Sequence, residues 1–416
     1  MWETLRNAWR VEDLRKKILY TLGMLLLFRL VGVIPAPGVD TARIGQETST
    51  LPLLGLVNMM TGNAFSQMTI MAMGITPYIN SSIIMQLLTI AIPALERMQK
   101  EGEEGRKRIA TITRYVTVGL AVIQAIGLVA GLGYIKAGWF NYVLVGISMA
   151  GGTALAMWIG ERITEKGIGN GISLLIFAGI VNNLFRGLMD GIASASTITA
   201  WIGILAVLVA AVAMITLVTY VDLGERRVPV QYAKRVVGRK MYGGQSTHIP
   251  MKVNSTGVLP LIFAYSFMAF PGTIIQLIGG TTSSASIWWS TYMGASSPAN
   301  LIITALLIIA FTYFYTSISF NPQDISKNIQ QQGGLIPGIR SGKATVDFLQ
   351  RTSSRLTLFG ALFLAVLATI PTILTINLQA EVPFAASSLL IAVSVALETT
   401  RQMESQLTMR HYKGFL

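Results

Sequence analysis

The chain contains no cysteine. Disulfides and thiolate metal sites are therefore excluded, and the composition carries no redox signal. Histidine is nearly absent. His248 and His411 stand far apart in polar segments, which argues against a zinc site or a histidine relay. Charge is scarce as well: Asp, Glu, Lys and Arg make up 12% of the 416 residues, against about 25% in a soluble domain. Hydrophobic residues reach 52% and mean hydropathy is +0.58. Little charge combined with long apolar runs means an integral membrane protein. The 40 glycines suit close packing of membrane helices.

Ten apolar runs are predicted as spans: Ile18–Val33, Phe65–Ile92, Ile109–Leu132, Tyr142–Gly160, Gly171–Leu188, Ala200–Val221, Val258–Ile278, Leu301–Ser319, Leu356–Asn377 and Phe384–Thr399. The N-terminal stretch has no signal-peptide form. Trp2, Leu5 and Trp9 fall at helical spacing among arginines, which predicts an interfacial helix or a plain basic anchor leading into the first span. The net charge of +13 is unevenly placed. Of the 32 Lys and Arg residues, 28 lie in the N-terminus, the C-terminal tail and the segments after spans 2, 4, 6 and 8. The alternate loops hold Arg43, Lys136 and Arg186, and Gly279–Asn300 has no charge at all. By the positive-inside rule both termini are cytosolic.

The spans divide into two halves, 1–190 and 200–416, joined outside the cell. In each half the second span is interrupted by proline: Pro77 in one, Pro260 and Pro271 in the other. Matched interruptions point to a central pathway, and an odd number of spans per half requires the halves to be inverted. No internal repeat is visible in the residue identities.

Ionisable groups are almost missing from the spans. Arg29, Arg114, Asp222 and Glu398 all sit near span ends. An ion-coupled secondary transporter of small solutes, the competing class, usually holds such a group within the membrane and is disfavoured. The motifs HExxH and GxSxG and paired intramembrane aspartates are also absent, so no enzyme site is legible. Aliphatic residues stand where a polar path would need polar ones. Ile75 and Ile79 are one turn apart, and Ile172 and Ile176 repeat that spacing. A ring of bulky aliphatic side chains can exclude water and ions yet yield to a large substrate. Ordinary helix packing gives the same spacing.

Two further stretches stand out. Leu54–Ile92 opens with a short apolar piece, breaks at Thr61-Gly62-Asn63, and continues as a span with Pro77 inside it and a polar cluster of Tyr78, Asn80, Ser81, Ser82 and Gln86 after it. This predicts a half-helix followed by a kinked, pathway-lining span; a re-entrant hairpin is the alternative. The loops at about 222–256 and 320–355 are long, basic and punctuated by Gly and Pro, and the first has Val/Tyr runs suited to a hairpin. They fit docking of a large acidic or RNA-containing partner, although charge alone is also explained by membrane anchoring.

The stretches AMGITPYINSSIIMQLL (72–88), EGEEGRKRIATITRY (101–115), GERITEKGIGNGISLLIFAGIV (160–181), YAKRVVGRKMYGGQSTHIPMKVN (232–254), GGLIPGIRSGKAT (333–345) and SLLIAVSVALE (388–398) carry a resemblance. With them the chain resembles the SecY/Sec61-alpha family of protein-conducting channel subunits over essentially its whole length. The resemblance implies an all-α membrane protein whose ten transmembrane helices form two inverted five-helix halves around an hourglass pore. It implies no chemistry by the chain itself and no cofactor or metal. By motif position it implies a pore ring of Ile75, Ile79, Ile172, Ile176, Ile262 and Ile391. A plug at about 54–67 would use Leu54, Leu56, Val57, Met60, Asn63 and Phe65. A lateral gate between spans 2–3 and 7–8 would carry Asn80, Ser81, Gln86, Gln124, Ile262 and Phe270.

The resemblance also implies docking surfaces at Arg226, Arg227, Lys234, Arg235, Arg239 and Lys240, and at Arg340 and Lys343. The implied partners are SecE, SecG, the SecA motor, the ribosome, signal sequences with their preproteins, and membrane lipid. The implied location is the bacterial cytoplasmic membrane. Two motifs depart from the family pattern. Thr61-Gly62-Asn63-Ala64 has fewer glycines than is usual before the plug, and Ser341 replaces a proline in the PGIR turn.

Overall fold

The computed structural model describes residues 2–39, 61, 64, 67–131, 138–194, 198–232, 235–237, 240–242, 246–279, 283–294, 297–378 and 386–413. Among them are ten helices of 16 to 36 residues, one for each predicted span. The first half holds α2 (Glu12–Val31), α3 (Thr76–Ala91), α5 (Glu103–Gly131), α6 (Trp139–Lys166) and α7 (Gly171–Ser194); α1 (Trp2–Arg10) and α4 (Pro93–Lys100) are short. The second half holds α8 (Ile198–Leu223), α9 (Leu259–Gly279), α11 (Pro298–Ser319), α13 (Lys343–Leu378) and α14 (Ala386–Lys413), with α10 (Ser284–Tyr292) and α12 (Pro322–Gln331) between them. On length and composition alone, five helices among the described residues can cross a membrane, or six if α3 and α4 are one bent span. Some of the remaining helices carry charged residues in a terminal turn. In α2, for example, Glu12 and Asp13 open the helix and Arg29 closes it, an order that suits the helix dipole.

The second span departs from the expectation of one kinked helix from Phe65. The described residues Gln67–Ile75 form turns, and the helix begins only at Thr76, with Pro77 in its first turn. A proline costs nothing there, because the first amides of a helix have no partner in any case. Pro260 is likewise in the first turn of α9; only Pro271 lies inside it. The turns are held to the segment after α2, where Ala36 N donates to the Met68 carbonyl at 3.0 Å and Ile70 N to the Ile34 carbonyl at 3.0 Å. The bend comes at the other end, where α3 meets α4 at 99°.

The two long loops form a single structure. Strands β1 (Glu225–Tyr232) and β4 (Ser246–Lys252) pair antiparallel as the expected hairpin, extended by β2 (Arg235–Val237) against β3 (Lys240–Tyr242). The second loop adds β5 (Gly334–Leu335) to the other edge of β1. The alternation in β1 turns Val228 and Val230 inward onto Met251, Ile329, Ile336 and Leu349, and leaves Arg226 and Arg227 exposed. At the N-terminus, Ala8 and Leu14 bury against Ile168 and Met403, so α1 is clipped to the far end of α14.

Candidate functional site: an isoleucine waist

Four helices bring their first two turns to one place. Ile75 and Ile79 come from the start of α3, Ile176 from α7, Ile262 from α9 and Ile391 from α14. All five are buried in one apolar cluster, with Ile172 half-buried against it. The six isoleucines expected for a ring thus belong to, or pack against, one apolar cluster drawn from both halves of the chain. The arrangement can close a path without polar groups. An aliphatic ring offers water no hydrogen bond, so a narrow waist dries and blocks ions.

Local sequence fixes each helix start. Asn170 caps α7 through its side-chain oxygen, which accepts from Ile172 N at 3.1 Å and Ser173 N at 3.3 Å. Gly171 packs so closely on the Gly160 carbonyl that a Cβ there would collide with it. Gly74 and Gly257 precede α3 and α9 with φ of 51° and 61°, a region that L side chains rarely adopt.

Laid over these starts, the halves do repeat. Gly74-Ile75-Thr76-Pro77-Tyr78-Ile79 matches Gly257-Val258-Leu259-Pro260-Leu261-Ile262, and Ser173-Leu174-Leu175-Ile176 matches Ser388-Leu389-Leu390-Ile391. The environments match too. Ile79 and Ile262 are 6% and 7% exposed, Ile176 and Ile391 3% and 5%. Val258 occupies the position equivalent to Ile75 and is buried in the same cluster, a residue the sequence reading did not single out.

The predicted plug residues Leu54, Leu56, Val57, Met60, Asn63 and Phe65 lie outside the described residues. Three of their neighbours are described. Gln67 is exposed, while Thr61 and Ala64 are buried, Ala64 within the waist cluster itself. Of the predicted gate residues, Asn80 and Gln124 are buried and Gln86 is half-buried. The Ser81 hydroxyl is buried and donates to the Pro77 carbonyl of its own helix at 2.8 Å. Phe270 is placed only by its position in α9. Here α9 lies against α3, α5 and α11. Phe263 meets Tyr315 with ring centroids 5.2 Å apart and Phe311 at 6.1 Å. Tyr315 in turn donates to Gln86 Oε1 at 2.8 Å.

A family model described as SecY matches residues 69–400. Protein translocase subunit SecY of Streptomyces scabiei is 42% identical over the full length of both chains, and that of Mycobacterium bovis 42% identical over 99% of this chain and 98% of its own. A solved protein-conducting channel has a TM-score of 0.67 at 21% identity, covering 94% of this chain and 91% of that one. Sec61 in the canine ribosome-channel complex has a TM-score of 0.63 at 19% identity, with the same coverage. The chain belongs to the SecY family.

In this SecY-family chain the candidate docking residues fall on the strand-bearing end. Arg226, Arg227, Arg340 and Lys343 are exposed. Arg227 pairs with Glu225 at 2.7 Å. The Arg340 turn is stapled from behind, Thr345 Oγ1 donating to its carbonyl at 2.9 Å. Arg235 and Lys240 are placed by backbone alone, and Lys234 and Arg239 lie outside the described residues. On α4, the Lys100 ammonium, 2.6 Å from Glu96, holds that carboxyl below the usual carboxylate range.

The sequence reading also missed a buried knot under the hairpin. Asp222 accepts from Asn254 Nδ2 at 2.8 Å and from Ser394 Oγ at 2.7 Å, while Arg401 donates to its carbonyl at 2.8 Å. Its only sequence signal was a lone carboxylate at the end of a long apolar run. Among the described residues no cluster of three or more His, Asp or Glu side chains could hold a metal.

Proposed function

We propose that the chain is the pore-forming subunit of a channel that passes unfolded preproteins across the bacterial cytoplasmic membrane and releases transmembrane segments sideways into lipid. The observation that carries this is the waist: buried isoleucines from four helix starts, two in each half, meet in one cluster. A polypeptide can displace such a seal, and nothing in it binds a small solute. Ala64 in the waist cluster supports the segment at about 54–67 as the plug. The seam of α3 and α5 against α9 and α11 fits the lateral gate, through which a segment leaves when its hydrophobicity favours lipid; a charged residue at mid-bilayer costs about 2.5–3.5 kcal/mol on insertion scales. The halves are 1–190 and 200–416, with both termini cytosolic. The basic platform of the β1–β4 hairpin and the Arg340 turn docks the SecA motor or the ribosome, whose energy drives transport. SecE and SecG complete the channel.

The test places a photo-crosslinking residue at position 79 in the assembled complex and stalls a preprotein in transit. Adducts to the preprotein at position 79, and none at the exposed α8 position Leu205, are expected. Equal labelling at both, or none at 79, overturns the reading.

A further inference from the structure

Each half of the chain ties its first span to its fifth with a polar bond, and both bonds land beside a ring isoleucine. In the first half Arg29 stands in the last turn of α2 and is half-buried. Its guanidinium Nη2 donates to the Ala178 carbonyl on α7 at 2.9 Å, two residues past Ile176. In the second half Asp222 lies in the last turn of α8, and its Oδ2 accepts from Ser394 Oγ on α14 at 2.7 Å, three residues past Ile391. Asp222 and Ser394 are both buried. At 1.5 Å per residue the two bonds lie about 3 Å and about 4.5 Å along the helix axis from the ring residues, within one turn. In the orientation proposed above, α7 and α14 run in opposite senses. One bond therefore flanks the waist on the outer side and the other on the cytosolic side.

We propose that Arg29 and Asp222 are a matched pair of positioning residues, struts that hold the ring-bearing spans α7 and α14 at the depth where the waist seals; this rests on the waist and orientation readings above. The isoleucines of the ring meet through dispersion, which has no direction and falls steeply with distance. A gap of about 0.5–1 Å forfeits a quarter to a half of the attraction. Apolar helix faces can slide along one another without leaving any group unsatisfied. A strut resists that motion. An arginine cannot shed its charge, and Arg29 is flanked on α2 by Leu26 and Leu30, each 63% exposed, where a cation without a partner is costly. Moving α7 along α2 withdraws its acceptor. Moving α14 along α8 parts the buried Asp222 carboxylate from Ser394, and the Asp222 carbonyl from Arg401, which donates to it from the same helix at 2.8 Å. Asn254 Nδ2, donating to Oδ1 at 2.8 Å, fixes the other carboxylate oxygen.

The experiment measures resting ion conductance of the purified complete complex in planar bilayers, per assembled channel and with no preprotein. Ser394→Ala removes one bond to a carboxylate and is expected to raise the leak by up to about tenfold, the value of a hydrogen bond to a charged group. Arg29→Met keeps an apolar stem and is expected to leak at least as much. Asp222→Asn is expected to stay sealed. Its amide oxygen still accepts from Ser394, and its amide nitrogen can donate to Asn254 Oδ1, which is buried and has no hydrogen-bond partner among the described residues. Arg114→Met is the control: it breaks the 2.8 Å pair with Glu161 between α5 and α6, away from the ring-bearing spans, and is expected not to leak. A tight channel from either Ser394→Ala or Arg29→Met overturns the struts, as does an equal leak from Arg114→Met or from Asp222→Asn. Ser394→Ala, the mildest change, decides where Arg29→Met does not assemble. Failure of the waist reading is seen separately: Ile391→Asn would then be tight as well.

Discussion

Replacing Ile391 by Asn tests the waist most directly. Ile391 is 5% exposed and sits among isoleucines from three other helices. In the dry, closed waist the substitution forfeits the burial of a large aliphatic side chain, about 1.5–3 kcal/mol. It also leaves an amide without partners, a further cost of about 1–3 kcal/mol. Neither cost applies once water enters, because the amide is then solvated. Even the low end, about 2.5 kcal/mol in all, moves the balance between dry and wet waists about 60-fold toward wet, since 1.4 kcal/mol is a factor of ten. The assay is ion conductance of the purified complex in planar bilayers with no preprotein present. Ile391→Asn is expected to leak. Ile391→Val removes one methylene, costs only about 0.5–1.5 kcal/mol and adds no polarity, so it is expected to stay sealed. Ile176→Asn, at the equivalent position with 3% exposure, is expected to leak to a similar extent. A tight Ile391→Asn channel, or an equally leaky Ile391→Val, would refute the argument that dryness makes the seal.

Three further outcomes follow from the contacts. Asp222→Ala leaves Asn254 Nδ2 and the Ser394 hydroxyl buried without their acceptor, at about 1–3 kcal/mol each; thermal unfolding of the detergent-solubilised complex should show a lower midpoint, and Asp222→Asn a smaller drop. Gly171→Ala drives a methyl into the Gly160 carbonyl and should cut accumulation of folded protein, while Gly119→Ala, with nothing within 4 Å, should be neutral or slightly stabilising; protease resistance in membranes compares the two. Arg340→Glu inverts an exposed charge on a stapled turn and should impair motor-driven export while co-purification with SecE stays normal.

The long apolar helices were legible because apolar length is a property of composition alone, and the hairpin because Val228 and Val230 alternate with polar residues. The pairing of the two long loops was not legible. Strand β5 is two residues long, and its partner lies about a hundred positions away, so no local periodicity announces it. The start of α3 was misread for a related reason. A proline inside an apolar run reads as a kink, and only the turns at Gln67–Ile75, tied to residues 34–36, show that the helix begins beside it. The Tyr315–Gln86 hydrogen bond and the Asp222 knot each join residues more than 30 positions apart, and neither has a spacing rule to reveal it.

The repeat between the halves explains which residues the sequence could identify at all. Along most of a span the only physical demand is apolarity, which many side chains meet, so two halves of common design lose their residue-level likeness. The demand is stricter where a helix must start at the waist. At α3 and α9 the chain has a glycine with positive φ, a proline in the first turn, which needs no amide partner, and two residues later an isoleucine buried in the shared cluster. At α7 and α14 it needs a leucine pair and then an isoleucine at matching depth. Those are the stretches that still match. The match also argues that Val258 is part of the seal: it fills the place of Ile75 and buries in the same cluster, although no isoleucine marks it in the sequence.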